Sequence, residues 1–322
     1  MNIDLIHGAH HEWKVLVYLM QKIFPEYNIP SKEPWKKQIE PTNKHLIVSA
    51  NLDCKKLKGY KKDGITYELR EEDRIPILFY TGEPFDVNVV DLTGNHKYVI
   101  ISSLKKIKQD NIYHIPFGVF WYTHFYLNNY LHKYRDNDTI CIDNKYIIGY
   151  CATKETKERK EFMEKISNEI NNVNSIVCFG KDNNYKCIVK QIQRTSNGNI
   201  NVIHEYNTCK FVLCIENCSR KGYLTEKIIC AFVSGAIPIY WGDHAYAKSL
   251  FNHKSFICIQ DFQNFDECIA HILNMSDDDI IAMKKQPMFT NNIIPDVFNI
   301  TDFSDGSYYG NFKKSIRNMV LD

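Results

Sequence analysis

No stretch of the 322 residues approaches the run of about eighteen apolar residues that a membrane-spanning helix needs. The first residues carry histidines and an acid where a secretory leader would have a basic and then an apolar stretch, so a soluble, cytoplasmic chain is expected. Nor does one sign of charge prevail. With 40 Lys and Arg against 38 Asp and Glu, bulk electrostatics offer no pull toward nucleic acid or anionic membrane, and any anion site must be local. The 11 cysteines lack paired spacing, which excludes a disulfide framework and reads as reduced thiols. Cys209, Cys214 and Cys218 form the one cluster, but an apolar strand-like run parts the first two where zinc would favour a short C-x2–4-C knuckle. They read as small core residues. Internal repeats and low-complexity tracts are lacking too.

What is present is enough apolar material for two cores: 44% hydrophobic residues, with 13% aromatic. Apolar, β-rich runs alternate with helical patterns, the mark of α/β layers with largely parallel sheets. Trp13–Phe24 has helix spacing, while His45–Ala50, Ile75–Thr81 and Tyr98–Ser102 read as strands. Lys55–Asp63 and Glu71–Arg74 look like solvated loops. Asn128–Lys145 is polar and turn-rich, and the domain boundary is placed near it: a first domain over 1–145 and a second over 146–300. Beyond it, Tyr146–Cys151 reads as a strand and Thr153–Ile170 as a helix whose Phe162, Ile166 and Ile170 share a face with Met163.

The chemistry concentrates in Lys210–Asp243, KFVLCIENCSRKGYLTEKIICAFVSGAIPIYWGD. Phe211–Ile215 is too short for a helix and ends in the polar pair Glu216 and Asn217, a buried strand opening into a loop. Thr225 can serve as N-cap, Ile228–Val233 give a helical apolar face, Gly235 suits the stop, and Ile237–Trp241 is the next strand. In such β-loop-α-β units, ligands sit beyond the carboxyl ends of the strands and helix N-termini present free N–H groups to anions. Glu226 agrees with the helix dipole. Lys227 in the first turn opposes it, unless an anion such as a diphosphate is bound there. On spacing alone Lys227 reads equally well as a solvated lysine, and Tyr223 as a packing residue.

Glu216-Asn217-Cys218, Tyr223-Leu224-Thr225-Glu226-Lys227, Gly235, Ile237-Pro238-Ile239 and Gly242 together resemble the donor-binding motif of the α-1,3/4-fucosyltransferases, glycosyltransferase family ten. Lys248, Lys254-Ser255-Phe256 and Asp261-Phe262 extend the resemblance to its bacterial members. Cys218 departs from the serine usual in the family. The resemblance implies a GT-B fold: two Rossmann-like domains facing each other across a cleft, the first binding acceptor, the second GDP-fucose. A final helix near Phe312–Met319 would return to the first domain.

It further implies that Asn217, Tyr223, Glu226 and Lys227 hold GDP-fucose, with Lys227 on the diphosphate and Glu226 on the ribose. Arg159 matches the family's diphosphate arginine, although TKETKERKEF, with Lys154, Lys157 and Lys160, also reads as a solvated charged face. ILFYTGEP keeps an FYTGE-like segment whose Glu83 would be the catalytic base. Read without the resemblance, Glu83 is a turn residue beside Gly82 and Pro84. The reaction implied is inverting transfer of L-fucose to O3 of an N-acetylglucosamine-containing glycan by a monomer or weak oligomer. Two alternatives stay open: the same fold with another nucleotide sugar, or an inactive glycan-binding protein.

No cofactor is required in this reading, although a divalent ion that stimulates turnover is compatible with it. Asp136-Asn137-Asp138 has the letters of a metal-holding D-x-D but lies in a turn-rich stretch rather than after an apolar run. Asp277-Asp278-Asp279 looks like a helix N-terminus. His7, His10 and His11 read as an acceptor-side or flexible group rather than a metal site.

Overall fold

A computed structural model describes residues 2–7, 10–27, 29, 45–49, 59–62, 65–68, 77–82, 98–105, 111–131, 144–151, 155–170, 172, 175–179, 185–190 and 198–321. By mutual contact the chain divides into two units. The first comprises Met1–His124, Lys221–Tyr223 and Asp296–Asp322; the second comprises Phe125–Arg220 and Leu224–Pro295. The division by contact falls within the apolar helix α2 (Phe117–Leu127), where Phe125 packs edge-on against Tyr130. Residues 296–322 lie with the first unit.

In the first unit, β1 (Asn2–His7), β2 (His45–Ser49), β5 (Ile77–Thr81), β6 (Tyr98–Ser102) and β7 (Ile112–His114) form a sheet in that order, every pairing parallel. Helix α1 (His10–Ile23) buries Val15, Leu16, Leu19, Met20 and Ile23, the i, i+4 stripe expected of a helix laid on a core. The last helix, α9 (Tyr308–Leu321), buries Tyr309, Phe312 and Ile316 and packs against β6 and α1. Its Arg317 donates from Nη1 to the Ile23 carbonyl at 2.9 Å and pairs with Glu26 at 2.7 Å. A cation thus meets the carbonyl end of α1, where the helix dipole favours it. The charged run Lys55–Asp63 is not all loop: Gly59–Lys62 is strand β3, in an antiparallel hairpin with β4 (Ile65–Glu68). Ladder hydrogen bonds can hold such a hairpin without an apolar alternation for the sequence to show.

The second unit is a sheet of parallel strands in the order β10 (Ile188–Lys190), β9 (Ile176–Phe179), β8 (Tyr146–Tyr150), β11 (Cys209–Ile215), β12 (Ile237–Trp241), β13 (Ile257–Cys258). In chain order this is 3-2-1-4-5-6, the doubly wound arrangement, whose order reverses between β8 and β11. Cys209 and Cys214 lie in β11, fully buried. Burial pushes the Cys209 thiol up to about 12 and raises Cys214 likewise, so both are protonated core residues at neutral pH.

The helices of this unit are α3 (Lys157–Glu169), α4 (Gly198–Tyr206), α5 (Glu226–Ser234), α6 (His244–Leu250), α7 (Phe265–Asn274) and α8 (Asp277–Lys284). Phe162, Met163 and Ile166 of α3 join Ile148, Phe211, Leu213 and Ile269 in one core. The acidic run Asp277–Asp279 opens α8 through a capping box, in which the Ser276 hydroxyl accepts from the Asp279 N–H and the Asp279 carboxylate accepts from Ser276. Gly235 ends α5 at φ 78°, the left-handed conformation a Cβ disfavours. Among the described residues no helix is long and apolar enough to cross a membrane.

Candidate active site

The reversal point places the ends of β8 and β11 side by side, with Val212 opposite Gly149 and Leu213 opposite Tyr150. Chain leaving β8 turns into α3, and chain leaving β11 turns into α5. Thr156 caps α3 in extended conformation, its hydroxyl accepting from the Arg159 N–H at 3.4 Å, which fixes Arg159 in the first turn. Arg159 belongs to the same buried face as Phe162, Met163 and Ile166, so its guanidinium runs inward and is 1% exposed. Its Nε and Nη2 donate to the Ile215 carbonyl at 2.9 and 2.5 Å, and Nη2 also donates to Asn217 Oδ1 at 2.9 Å. One side chain thereby ties the start of α3 to the end of β11.

β11 is prolonged by the Glu216 N–H, which donates to the Trp241 carbonyl at 2.9 Å. The Glu216 carboxylate is wholly buried. Its Oε1 accepts from the Thr225 N–H and its Oε2 from the Thr225 hydroxyl, both at 2.7 Å, and Lys227 Nζ stands 3.3 Å from Oε2. Lys227 also donates to Thr225 Oγ1 at 3.0 Å and to Glu226 Oε1 at 3.4 Å. Thr225 has the extended backbone of an N-cap, but its hydroxyl serves Glu216 and Lys227 rather than the helix's own N–H groups. The first-turn N–H groups of α5 remain the electropositive end of a helix.

Burial lifts the Glu216 carboxyl above its ordinary range, against the pull of Lys227 and the two Thr225 bonds. Burial acts the same way on Glu226, but there Lys227 and the residue's own N–H outweigh it and the carboxyl falls below its usual value. For Lys227, burial disfavours the charge, yet the two carboxylates prevail and raise its pKa. The lysine is therefore an ammonium at neutral pH, partly sheltered (its side chain is 16% exposed) and beside the electropositive end of α5.

Arg159, Asn217, Glu226 and Lys227 are thus gathered at one end of the second unit's sheet. Tyr223 is buried and lies with the first unit, where Lys105 N–H donates to the Lys221 carbonyl at 2.9 Å and His114 Nε2 lies 3.0 Å from the Gly222 carbonyl. Glu83 lies outside the described residues, as do Asp136-Asn137-Asp138. So do the side chains of His7, His10 and His11. Among the described residues no group of three or more His, Cys, Asp or Glu is placed to hold a metal ion. Sequence reasoning placed Glu216 at the polar end of a strand and within the donor-binding motif, but gave it no role of its own. The signal was there: a carboxylate directly after an apolar strand, with a Thr-Glu-Lys helix start shortly downstream.

An all-parallel sheet whose strand order reverses at its centre defines a class, the doubly wound α/β domains. The whole chain has the GT-B fold: it superposes on a crystal structure of alpha1,3-fucosyltransferase with TM-score 0.67, over 100% of this chain and 90% of that one at 19% identity. A crystal structure of alpha1,3-fucosyltransferase with GDP-fucose matches at TM-score 0.61 and 18% identity, over 100% of this chain and 90% of that one. Residues 144–284, somewhat under half of the chain, match the family profile of Glycosyltransferase family 10 (fucosyltransferase) C-term. Alpha-(1,3)-fucosyltransferase FucT of Helicobacter pylori is 57% identical over 63 residues, 20% of this chain and 13% of that relative. The 4-galactosyl-N-acetylglucosaminide 3-alpha-L-fucosyltransferase 9 of Mus musculus is 34% identical over 73 residues, 22% of this chain and 20% of that relative. The matched stretches therefore span a fifth or less of these curated relatives.

Proposed function

We propose that this chain is an inverting fucosyltransferase that moves L-fucose from GDP-β-L-fucose to O3 of N-acetylglucosamine in a glycan. The observation that carries the reading is the Lys227 ammonium, held at the N-terminus of α5 with Arg159 anchored at the adjoining strand end. Leaving-group charge is the main electrostatic burden of such a transfer, and preorganised cations and helix ends carry it without a resident metal. The second unit is the donor side in this reading. Lys227, Arg159 and Asn217 face the diphosphate, Glu226 leaves Lys227 for the ribose, and Tyr223 completes the set of donor residues.

The first unit supplies the acceptor site and Glu83. The acceptor hydroxyl attacks C1 of fucose opposite GDP and its proton passes to Glu83. The new C1–O bond forms as the bond to the β-phosphate oxygen breaks, through an oxocarbenium-like state, and the β-linked donor becomes an α-linked product. In this reading the protein works as a soluble monomer or weak oligomer in the cytoplasm.

Incubation with GDP-fucose and N-acetyllactosamine is expected to give an α-1,3-fucoside and stoichiometric GDP, with turnover that persists in chelator. A Glu83→Ala variant should keep its affinity for GDP and lose turnover. Neither transfer nor GDP release from the intact chain would refute the activity, and calorimetry in which a UDP-sugar binds better than GDP-fucose would refute the donor.

A further inference from the structure

Lysine in the first turn of a helix is repelled by the dipole, and its long side chain ordinarily extends into water. Lys227 does neither, and the cause is a closed ring of three groups. The Thr225 hydroxyl gives its proton to Glu216 Oε2 at 2.7 Å and accepts from Lys227 Nζ at 3.0 Å, while Nζ stands 3.3 Å from the same carboxylate oxygen. Glu216 Oε1 is taken by the Thr225 N–H, so the carboxylate has no freedom to turn. The two acids beside Lys227 differ in kind. Glu226 is partly exposed and makes a 3.4 Å contact that an incoming anion can displace. Glu216 is wholly buried at the strand end and stays.

We infer that Glu216 is a positioning residue: acting through the Thr225 hydroxyl, it holds the Lys227 ammonium at the anion-binding end of α5 before ligand arrives, so that a nucleoside diphosphate meets a preset cation. This rests on the nucleotide-binding reading above. A cation left in solvent would have to be ordered at the moment of binding, and that cost would appear as lost affinity for the diphosphate portion alone. The nucleoside portion should be indifferent to it.

The test is calorimetry on the full chain with GDP and with guanosine, alongside melting curves. Glu216→Gln keeps the shape and an acceptor for the Thr225 N–H but loses the charge. It is expected to weaken GDP about tenfold, the worth of one charge-assisted hydrogen bond, and to leave guanosine within about twofold. In a Lys227→Met background the further change to Gln should cost no GDP affinity, because the lysine through which Glu216 acts is gone. Thr225→Val should behave like Glu216→Gln, and Thr225→Ser should restore wild-type binding. If Glu216→Gln does not fold, the contrast between valine and serine decides alone.

Unchanged GDP affinity in Glu216→Gln, equal losses for GDP and guanosine, or losses that multiply in the double variant would overturn the inference while leaving the nucleotide site standing. Wild-type protein that binds no GDP would overturn the nucleotide reading and this inference with it.

Discussion

Replacing Lys227 by Met removes the charge that faces a fully buried carboxylate and keeps most of the side-chain volume. Taking one partner from a buried ion pair costs about 3–5 kcal/mol. The lower end applies here, since Glu216 retains the two Thr225 donors at 2.7 Å and Lys227 itself is partly exposed. A loss of about 3 kcal/mol in a domain of this size lowers the melting temperature by about 6–12 °C.

That deficit carries a pH signature of definite sign. The folded-state pKa of Glu216 already lies above its ordinary 4.5, and losing Lys227 removes a factor that lowers it, so the variant's value rises further. Between the unfolded and the folded pKa the native state binds more protons than the unfolded one, and stability falls as pH rises. The gap to wild type is therefore widest at alkaline pH and narrows as the pH falls through the variant's raised carboxyl pKa, where protonation removes the unpaired charge. Scanning fluorimetry across that range measures it. Adding Glu216→Gln should recover part of the loss at about pH 8. A Lys227→Met protein that melts with wild type, or a gap that stays flat with pH, would refute the reasoning.

Two further outcomes follow from backbone geometry. Gly235→Ala forces a Cβ into the left-handed cap of α5 and should cost about 1–2 kcal/mol by chemical denaturation; no change would mean that α5 does not end there. Gly242→Ala would set a Cβ 2.5 Å from the Tyr240 hydroxyl and 3.0 Å from Glu216 Cγ, at about 1–3 kcal/mol of overpacking. Adding Tyr240→Phe removes both the obstructing atom and a buried hydroxyl with no hydrogen-bond partner among the described residues, so the double variant should melt above Gly242→Ala.

The parallel α/β alternation of the second unit was legible because each element announces itself locally. Five apolar residues end at Glu216, Thr225 opens a helix, and Gly235 closes it. Strand order was not legible, because nothing in Tyr146–Tyr150 says that Cys209–Ile215 pairs with it on the side opposite Ile176–Phe179. That adjacency is what brings Arg159 to the Ile215 carbonyl. Periodicity could place Arg159 on a helix but could not tell a solvated face from a buried one, since the surrounding lysines dominate the pattern. Glu216 was passed over for a related reason. A carboxylate at a strand end reads as the start of solvent, and only the return of Thr225 and Lys227 over it shows that it is enclosed. The hairpin Gly59–Glu68 hid behind its charge.

The reversal of strand order between β8 and β11 also dictates when the proposed anion site can come into being during folding. β8, α3, β9 and β10 are contiguous in the chain and can associate through short loops, yet together they contain Arg159 and nothing for it to hold. Its anchor, the Ile215 carbonyl, lies 56 residues away and arrives only when β11 inserts beside β8, a closure whose entropic cost precedes any reward from contacts. Competence for an anion thus appears with the last central strand and not by degrees. A ligand that binds only the finished site shifts the equilibrium toward a fully assembled sheet.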